Sequence, residues 1–345
     1  MTEPLKPHHG GKLRQASEQH QIPLNDWLDL STGVSPYCYP IPAIPNSVWN
    51  RLPEDEDGLQ AAAASYYQHS NLLPVAGSQA AIQALPQVLS QSLSIGTVLL
   101  PSVGYKEHQH AWQTYQRNSH QPVTIRFYKN QPSEAQLKSS DVVVVINPNN
   151  PSATLHPAET LFGWRKQMSS EAVLIVDEAF IDATQQESLL PHLPTPIPTN
   201  TIVLRSVGKF FGLAGARVGF CFAHPQHLKK MSQKLGPWTL SGPSRYVVQH
   251  ALNNREWQVQ TRETLYLSSQ RLHDLLSRYF EHVCPQILFQ RVELSNATKC
   301  HQTLAKQGVF TRLCDEKDAI RFGLPHQEAD WKKLETTLNQ IKDTL

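Results

Sequence analysis

The sequence has little of what marks an unusual environment. Its five cysteines in 345 residues, Cys38, Cys221, Cys284, Cys300 and Cys314, are odd in number, far apart and never spaced Cys-x-x-Cys. That excludes a disulfide framework and a zinc knuckle, and leaves them as reduced packing residues. Charged residues are 17% and the net charge is +2, so there is no broad basic face for a nucleic-acid backbone. No stretch reaches the roughly 18 apolar residues that a membrane span needs, and "MTEPLKPHHGGKLRQ" has no apolar signal core. A soluble, cytoplasmic protein with neither nucleic acid nor membrane among its partners is expected. The 16 histidines never form His-Glu-x-x-His, and "HHGG", "HQH" and "HPQH" lie in polar, loop-like sequence, so no metal is expected. Internal repeats and low-complexity tracts are also missing, while 25 prolines against 16 glycines indicate many rigid turns.

What the chain does have is a set of short apolar runs. "VVVVI" (Val142 to Ile146), "AVLIV" (Ala172 to Val176) and "TIVL" (Thr201 to Leu204) are β-branched and continuous rather than alternating. Strands buried on both faces of a parallel sheet have this character. "GTVLLP" (from Gly96) and "GFCFA" (from Gly219) are further strand candidates. Helical segments such as "SQAAIQALPQVLSQSL" and "HPAETLFGWRKQMSS" alternate with them, so the class is α/β. After Leu235 the texture changes to a Pro/Gly turn region, "GPWTLSGPSR", then one long helical stretch from Tyr246 to Phe280. From about Cys284 the chain reads as a separate α+β lobe. The expected division is residues 1–36 as an arm joined to the smaller lobe, 37–240 as the large domain and 241–345 as the small one.

In open α/β sheets, ligands bind beyond the carboxyl ends of the strands. Here "VVVVI" runs into "NPNNPSAT", "AVLIV" into "DEAF" and "TIVL" into "RSVGK". An amide-rich loop, a carboxylate and a lysine are therefore expected on one edge of one sheet. Each has an ordinary reading as a turn, a helix cap or a surface charge; their succession at neighbouring strand ends does not.

This combination resembles the fold-type I pyridoxal-phosphate enzymes of the aminotransferase superfamily, along nearly the whole chain. The resemblance implies a large domain with a mostly parallel sheet and helices on both faces, a smaller α+β domain, pyridoxal 5'-phosphate as cofactor and a homodimer. It also implies residue roles. Lys209 is the lysine that forms a Schiff base with the cofactor aldehyde. Asp177 pairs with the pyridine nitrogen so that the ring accepts electrons, and Asn150 hydrogen-bonds the 3-oxygen. Ser206 and Arg217 hold the phosphate, with the backbone N–H groups of Gly77, Ser78 and Gln79 at a helix N-terminus. Tyr105 is the stacked ring, a core tyrosine being the alternative. Two departures stand out: Phe180 replaces a usual tyrosine donor, and Leu52 stands where histidinol-phosphate aminotransferases place a tyrosine that reaches the partner subunit's phosphate.

These departures, with "HHGGKL", "RLPEDEDGL", "YKEH", "DEAFIDA", "GPWTLSGP" and "GVFTR…AIRFGLP", resemble the threonine-phosphate decarboxylases of cobalamin biosynthesis. They imply a phosphorylated amino acid as substrate, bound by Asn150 and by Arg321 as the carboxylate grip. Arg312 is a second cation or a solvated surface charge, and His9 either closes over the substrate phosphate or belongs to a loose tail. A histidinol-phosphate-type aminotransferase is the main alternative, and a non-catalytic scaffold of the same fold another. A nicotinamide dehydrogenase fails because "GLAGARVG" lacks the Gly-x-Gly-x-x-Gly spacing and follows the lysine instead of the first strand.

Overall fold

The β-branched runs form the centre of a seven-stranded sheet in the computed structural model, which describes residues 10–119 and 121–342. Across this sheet the order is Leu72–Val75, Gly219–Phe222, Thr201–Ser206, Val173–Asp177, Val142–Ile146, Thr97–Pro101, Thr124–Tyr128. Only Gly219–Phe222 runs against its neighbours; the other pairs are parallel. The three central strands are buried at every position, as continuous apolar runs require. Each fully buried Val or Ile there contributes about 1.5–3 kcal/mol relative to exposure. Val142 and Val144 pack with Ala81, Leu85 and Val88 of the helix Gly77–Ser90 and with Trp112 of the helix Lys106–Asn118. Val143 and Val145 point to the opposite face and are equally covered.

Leu72–Val75 and Thr124–Tyr128, which the apolar runs did not mark, are the two edge strands. One carries Pro74 and the other is largely exposed, both common at sheet edges and both hiding a strand from a search for apolar runs.

Contacts divide the chain into two units. The first holds Tyr39–Asn150 and Thr154–Glu256; the second holds residues 10–38, Pro151–Ala153 and those from Trp257 on. The second unit contains a four-stranded antiparallel sheet ordered Arg312–Leu313, Ala319–Gly323, Phe289–Glu293, His282–Gln286. Leu28–Asp29 pairs in parallel with Val309–Phe310, which ties the early chain to the late one.

The sequence drew the division near 240, whereas the chain crosses between units at Glu256. The helix Gly242–Asn253 stays with the first unit because Arg245, 5% exposed, donates to Asp57 at 2.5 and 2.8 Å and to the Glu54 carbonyl at 3.0 Å. The single long helical stretch is in fact two helices, Gly242–Asn253 and Arg255–Ser277, broken at Asn254, where asparagine side chains compete with the helical backbone. "HQH" is helical rather than loop-like, and His224 of "HPQH" caps the helix Pro225–Leu235. None of the five cysteines is in a disulfide, but Cys38 is exposed and so is not a packing residue.

Candidate functional site

A cavity of about 520 Å³ opens at the carboxyl ends of the central strands of the first unit. Asp177 closes its strand and Ser206 closes the next, with Lys209 three residues on. Asn150 comes from the loop after Ile146, Tyr105 from the cap of the helix Lys106–Asn118, and Gly77, Ser78 and Gln79 from the start of Gly77–Ser90. Phe180 and Arg217 complete the set with Ile146 and Ala179. The structure thus brings all ten residues assigned to the cofactor into one cavity.

Local structure explains the placement. Asn147, fully buried, binds both polar groups of the His156 backbone (2.7 and 2.9 Å), and Asn149 N–H donates to the Thr154 carbonyl (2.7 Å), so the loop carrying Asn150 is pinned at its base. Arg217 adopts a left-handed conformation (φ 54°) and donates to the Ala214 carbonyl at 3.3 Å. Gly77 (φ +70°) leaves room for that guanidinium, since a Cβ there would meet Arg217 Nη2 at 2.9 Å. A Cβ on Gly219 would lie 2.6 Å from the Ser78 nitrogen, so strand and helix start are in close contact.

Asp177 is 2% exposed, and its Oδ1 accepts from the Ala179 N–H at 3.1 Å. Its Oδ2 lies 2.8 Å from His108 Nε2, a nearly water-free pair. A carboxylate only accepts, so that ring nitrogen carries the proton. His108 escaped the sequence reading; its one signal is its position three residues after Tyr105 in "YKEH". Lys209 Nζ sits 5.1 Å from the centroid of the Phe180 ring. The Tyr105 hydroxyl donates to Gln79 Oε1 at 3.1 Å, and burial pushes this phenol well up, with Glu107 and Asp177 adding.

Behind the cavity lies a charge cluster that the sequence reading also missed. Arg205 Nη1 donates to Glu178 Oε2 (2.7 Å) and Ser188 Oγ (2.9 Å), and Nη2 donates to Asp182 Oδ1. Burial raises the pKa of Glu178, with Arg205 opposing. Glu178 follows Asp177 and Arg205 precedes Ser206, so the cluster cross-links the two strands that present those residues.

Arg312 and Arg321 lie in the second unit, directly opposite each other across two strands, with Arg291 opposite Arg321 on the far side. The three arginines therefore share one face of the small sheet. Arg321 donates to the Ser31 carbonyl at 2.6 Å and Arg312 to Asp315 Oδ1 at 2.9 Å. Arg291 pairs with Glu293 and Asp318 at 3.1 and 3.2 Å. Leu52 is 64% exposed and lines a different groove, with Arg51 and Tyr246. His9 lies outside the described residues.

Comparisons with known proteins give consistent results. The profile of the family "Aminotransferase class I and II" matches residues 50–334. A threonine-phosphate decarboxylase of Pseudomonas aeruginosa is 44% identical over 337 residues, 97% of this chain and 98% of that one. A second, from Sinorhizobium sp, is 37% identical over 68% of each chain. Among solved structures, histidinol-phosphate aminotransferase from Sinorhizobium meliloti in complex with pyridoxal-5'-phosphate superposes with a TM-score of 0.79, covering 98% of this chain and 96% of that one at 17% identity. That last likeness is one of fold.

Proposed function

The chain belongs to the class I and II aminotransferase family, in its threonine-phosphate decarboxylase branch, and we propose that it removes the α-carboxylate of O-phospho-L-threonine, giving (R)-1-amino-2-propanol O-2-phosphate and carbon dioxide for cobalamin biosynthesis. The observation that carries the choice of reaction is the near-complete match to a threonine-phosphate decarboxylase. The cavity supports the cofactor: a lysine, a buried carboxylate and a helix N-terminus beside an arginine suit pyridoxal phosphate as a group with an aldehyde, a basic ring nitrogen and a dianion. The glycine contacts at Gly77 and Gly219 give that phosphate cradle its close walls.

In this reading Ser206, Arg217 and the backbone of Gly77, Ser78 and Gln79 hold the phosphate, Asn150 the 3-oxygen and Tyr105 a ring face, while Phe180 stands without a hydroxyl where a tyrosine donor to the 3-oxygen is usual. Bound pyridoxal phosphate supplies an electron sink for the pair left on the substrate α-carbon. Asp177 keeps a proton on the ring nitrogen, and the His108 hydrogen bond holds that carboxylate in place. Arg321, with Arg312, would hold the substrate carboxylate and so set which bond to the α-carbon is aligned with the electron sink. Lys209 Nζ would deliver a proton to the α-carbon in place of the departing carbon dioxide, so that the β-phosphate is not expelled and stays in the product. Remote phosphate binding is used to fix this orientation, with His9 a candidate for it, so plain threonine loses turnover as well as affinity.

A cytoplasmic homodimer completes the proposal. Ile41, Trp49, Leu52 and Trp238 in the first unit are each at least 60% exposed, as a surface awaiting a partner would be. No helix among the described residues is long and apolar enough to cross a membrane. Sedimentation at assay concentration is expected to show a dimer, and an active monomer overturns that assignment.

The reaction is tested by incubating enzyme and cofactor with O-phospho-L-threonine, with and without 2-oxoglutarate, and separately with histidinol phosphate and 2-oxoglutarate. Carbon dioxide and aminopropanol phosphate, formed without an acceptor, are expected. Glutamate from histidinol phosphate with no carbon dioxide from phosphothreonine would instead identify an aminotransferase.

A further inference from the structure

We propose that Glu107 is a positioning residue, which orients the Gln79 amide so that the Tyr105 hydroxyl proton is committed to Gln79 and the ring is held in one setting for pyridoxal phosphate. The inference rests on the cofactor reading above. Glu107 is 7% exposed and stands in the first turn of the helix Lys106–Asn118, where the helix dipole favours a carboxylate. Its Oε2 lies 2.5 Å from Gln79 Nε2, while Gln79 Oε1 receives the Tyr105 hydroxyl at 3.1 Å. A side-chain amide can be placed in either of two orientations, and its neighbours decide between them. A carboxylate only accepts, so Glu107 requires the NH₂ group on its own side and turns the carbonyl oxygen toward Tyr105. Tyr105 must then donate. The raised pKa of this phenol, due to burial first and the Glu107 charge second, keeps that proton in place.

The consequence concerns what the cavity offers. Two six-membered aromatic side chains line it, and Phe180 has no hydroxyl. With the Tyr105 proton held by Gln79, neither presents a phenol donor to a bound group. A glutamine at 107 could donate as well as accept, which would let the Gln79 amide turn and release the Tyr105 hydroxyl.

The test is a double-mutant cycle on cofactor affinity, read by titrating apoprotein with pyridoxal phosphate and following absorbance. Wild type, Glu107→Gln, Tyr105→Phe and the double variant are compared after far-UV circular dichroism shows each apoprotein folded. Glu107→Gln is expected to weaken binding about tenfold, and by no more than about twofold in the Tyr105→Phe background. If Glu107→Gln does not fold, Gln79→Met, which breaks the same relay, takes its place with the same expectation. Losses that multiply, or an unchanged affinity in Glu107→Gln, overturn the relay while leaving the cofactor reading intact. Failure of the wild-type protein to bind pyridoxal phosphate removes both.

Discussion

Arg205 in the first unit and Arg321 in the second are both almost wholly buried, and their surroundings act on their charges in opposite directions. Arg205, 1% exposed, is answered by Glu178, Asp182 and Ser188, with the Tyr67 ring 4.5 Å from its guanidinium carbon. Burial works against its charge, but Asp182 and Glu178 more than offset this and its pKa ends up raised. Arg321, 6% exposed, donates to a backbone carbonyl, and burial lowers its pKa to about 10, with Cys314 opposing and Arg312 adding to the fall. The first arginine belongs to a closed, internally matched cluster that holds two strand ends in register. The second is a cation whose charge burial opposes, and under the proposed function it meets the substrate carboxylate. Under the proposed function, the first unit carries the chemistry and the second the proposed grip for the substrate carboxylate.

Substitutions can break that division. Lys209→Ala should have the largest effect, lowering carbon dioxide release about 10⁴-fold or more while the apoprotein stays folded. Borohydride should fix pyridoxal phosphate to the wild-type chain and not to this variant; covalent trapping that persists would mean another lysine does the work. Arg205→Met comes next and acts on stability. It leaves Glu178 and Asp182 buried without their countercharge, at a cost of about 3–5 kcal/mol in urea unfolding. A loss below about 1 kcal/mol would show that the cluster is not what ties the strands together. Arg321→Met should lower kcat/KM for O-phospho-L-threonine about 10²–10³-fold, the scale for removing one partner of a buried charge pair.

The same contrast explains what could be read before the fold was seen. The central strands were legible because Val142 to Ile146 is apolar at every position, and the cavity was legible because Asp177, Ser206, Lys209 and Asn150 follow such strands directly. His108 and Glu107 were hidden, since they sit on an exposed-looking helix, "KEHQHAWQTYQRN", with only a few buried positions. Their burial depends on a strand and a helix start far away in sequence. Arg205, Glu178 and Asp182 are adjacent to noticed residues, but nothing local distinguishes a buried arginine from a solvated one. The later crossing of the contact division was hidden for the same reason: the Arg245–Asp57 pair that holds the helix Gly242–Asn253 spans 188 positions.

The smallest expected effect is the most discriminating, because its sign differs between the two arginines. If the burial that lowers its pKa makes Arg321 a net cost, Arg321→Met should leave the unliganded protein as stable as wild type or more so, even though it removes the proposed grip, whereas Arg205→Met destabilises. The pH dependence follows from the direction of the shift. With a folded-state pKa near 10, below its ordinary value, Arg321 binds fewer protons in the folded than in the unfolded chain as pH rises through 10. Wild-type stability therefore gains with pH in that range, and the advantage of Arg321→Met should narrow by about 1 kcal/mol between pH 8 and pH 10.5. Cys314, whose thiol burial pushes up to about 11, titrates close by, so both proteins are compared in a Cys314→Ala background. Arg291, Arg312 and Asp29, the other charges facing Arg321, stay in both. A gap that widens with pH, or an Arg321→Met protein as unstable as Arg205→Met, would mean that Arg321 is a matched structural charge like its counterpart, and the anion grip would have to be sought elsewhere in the second unit.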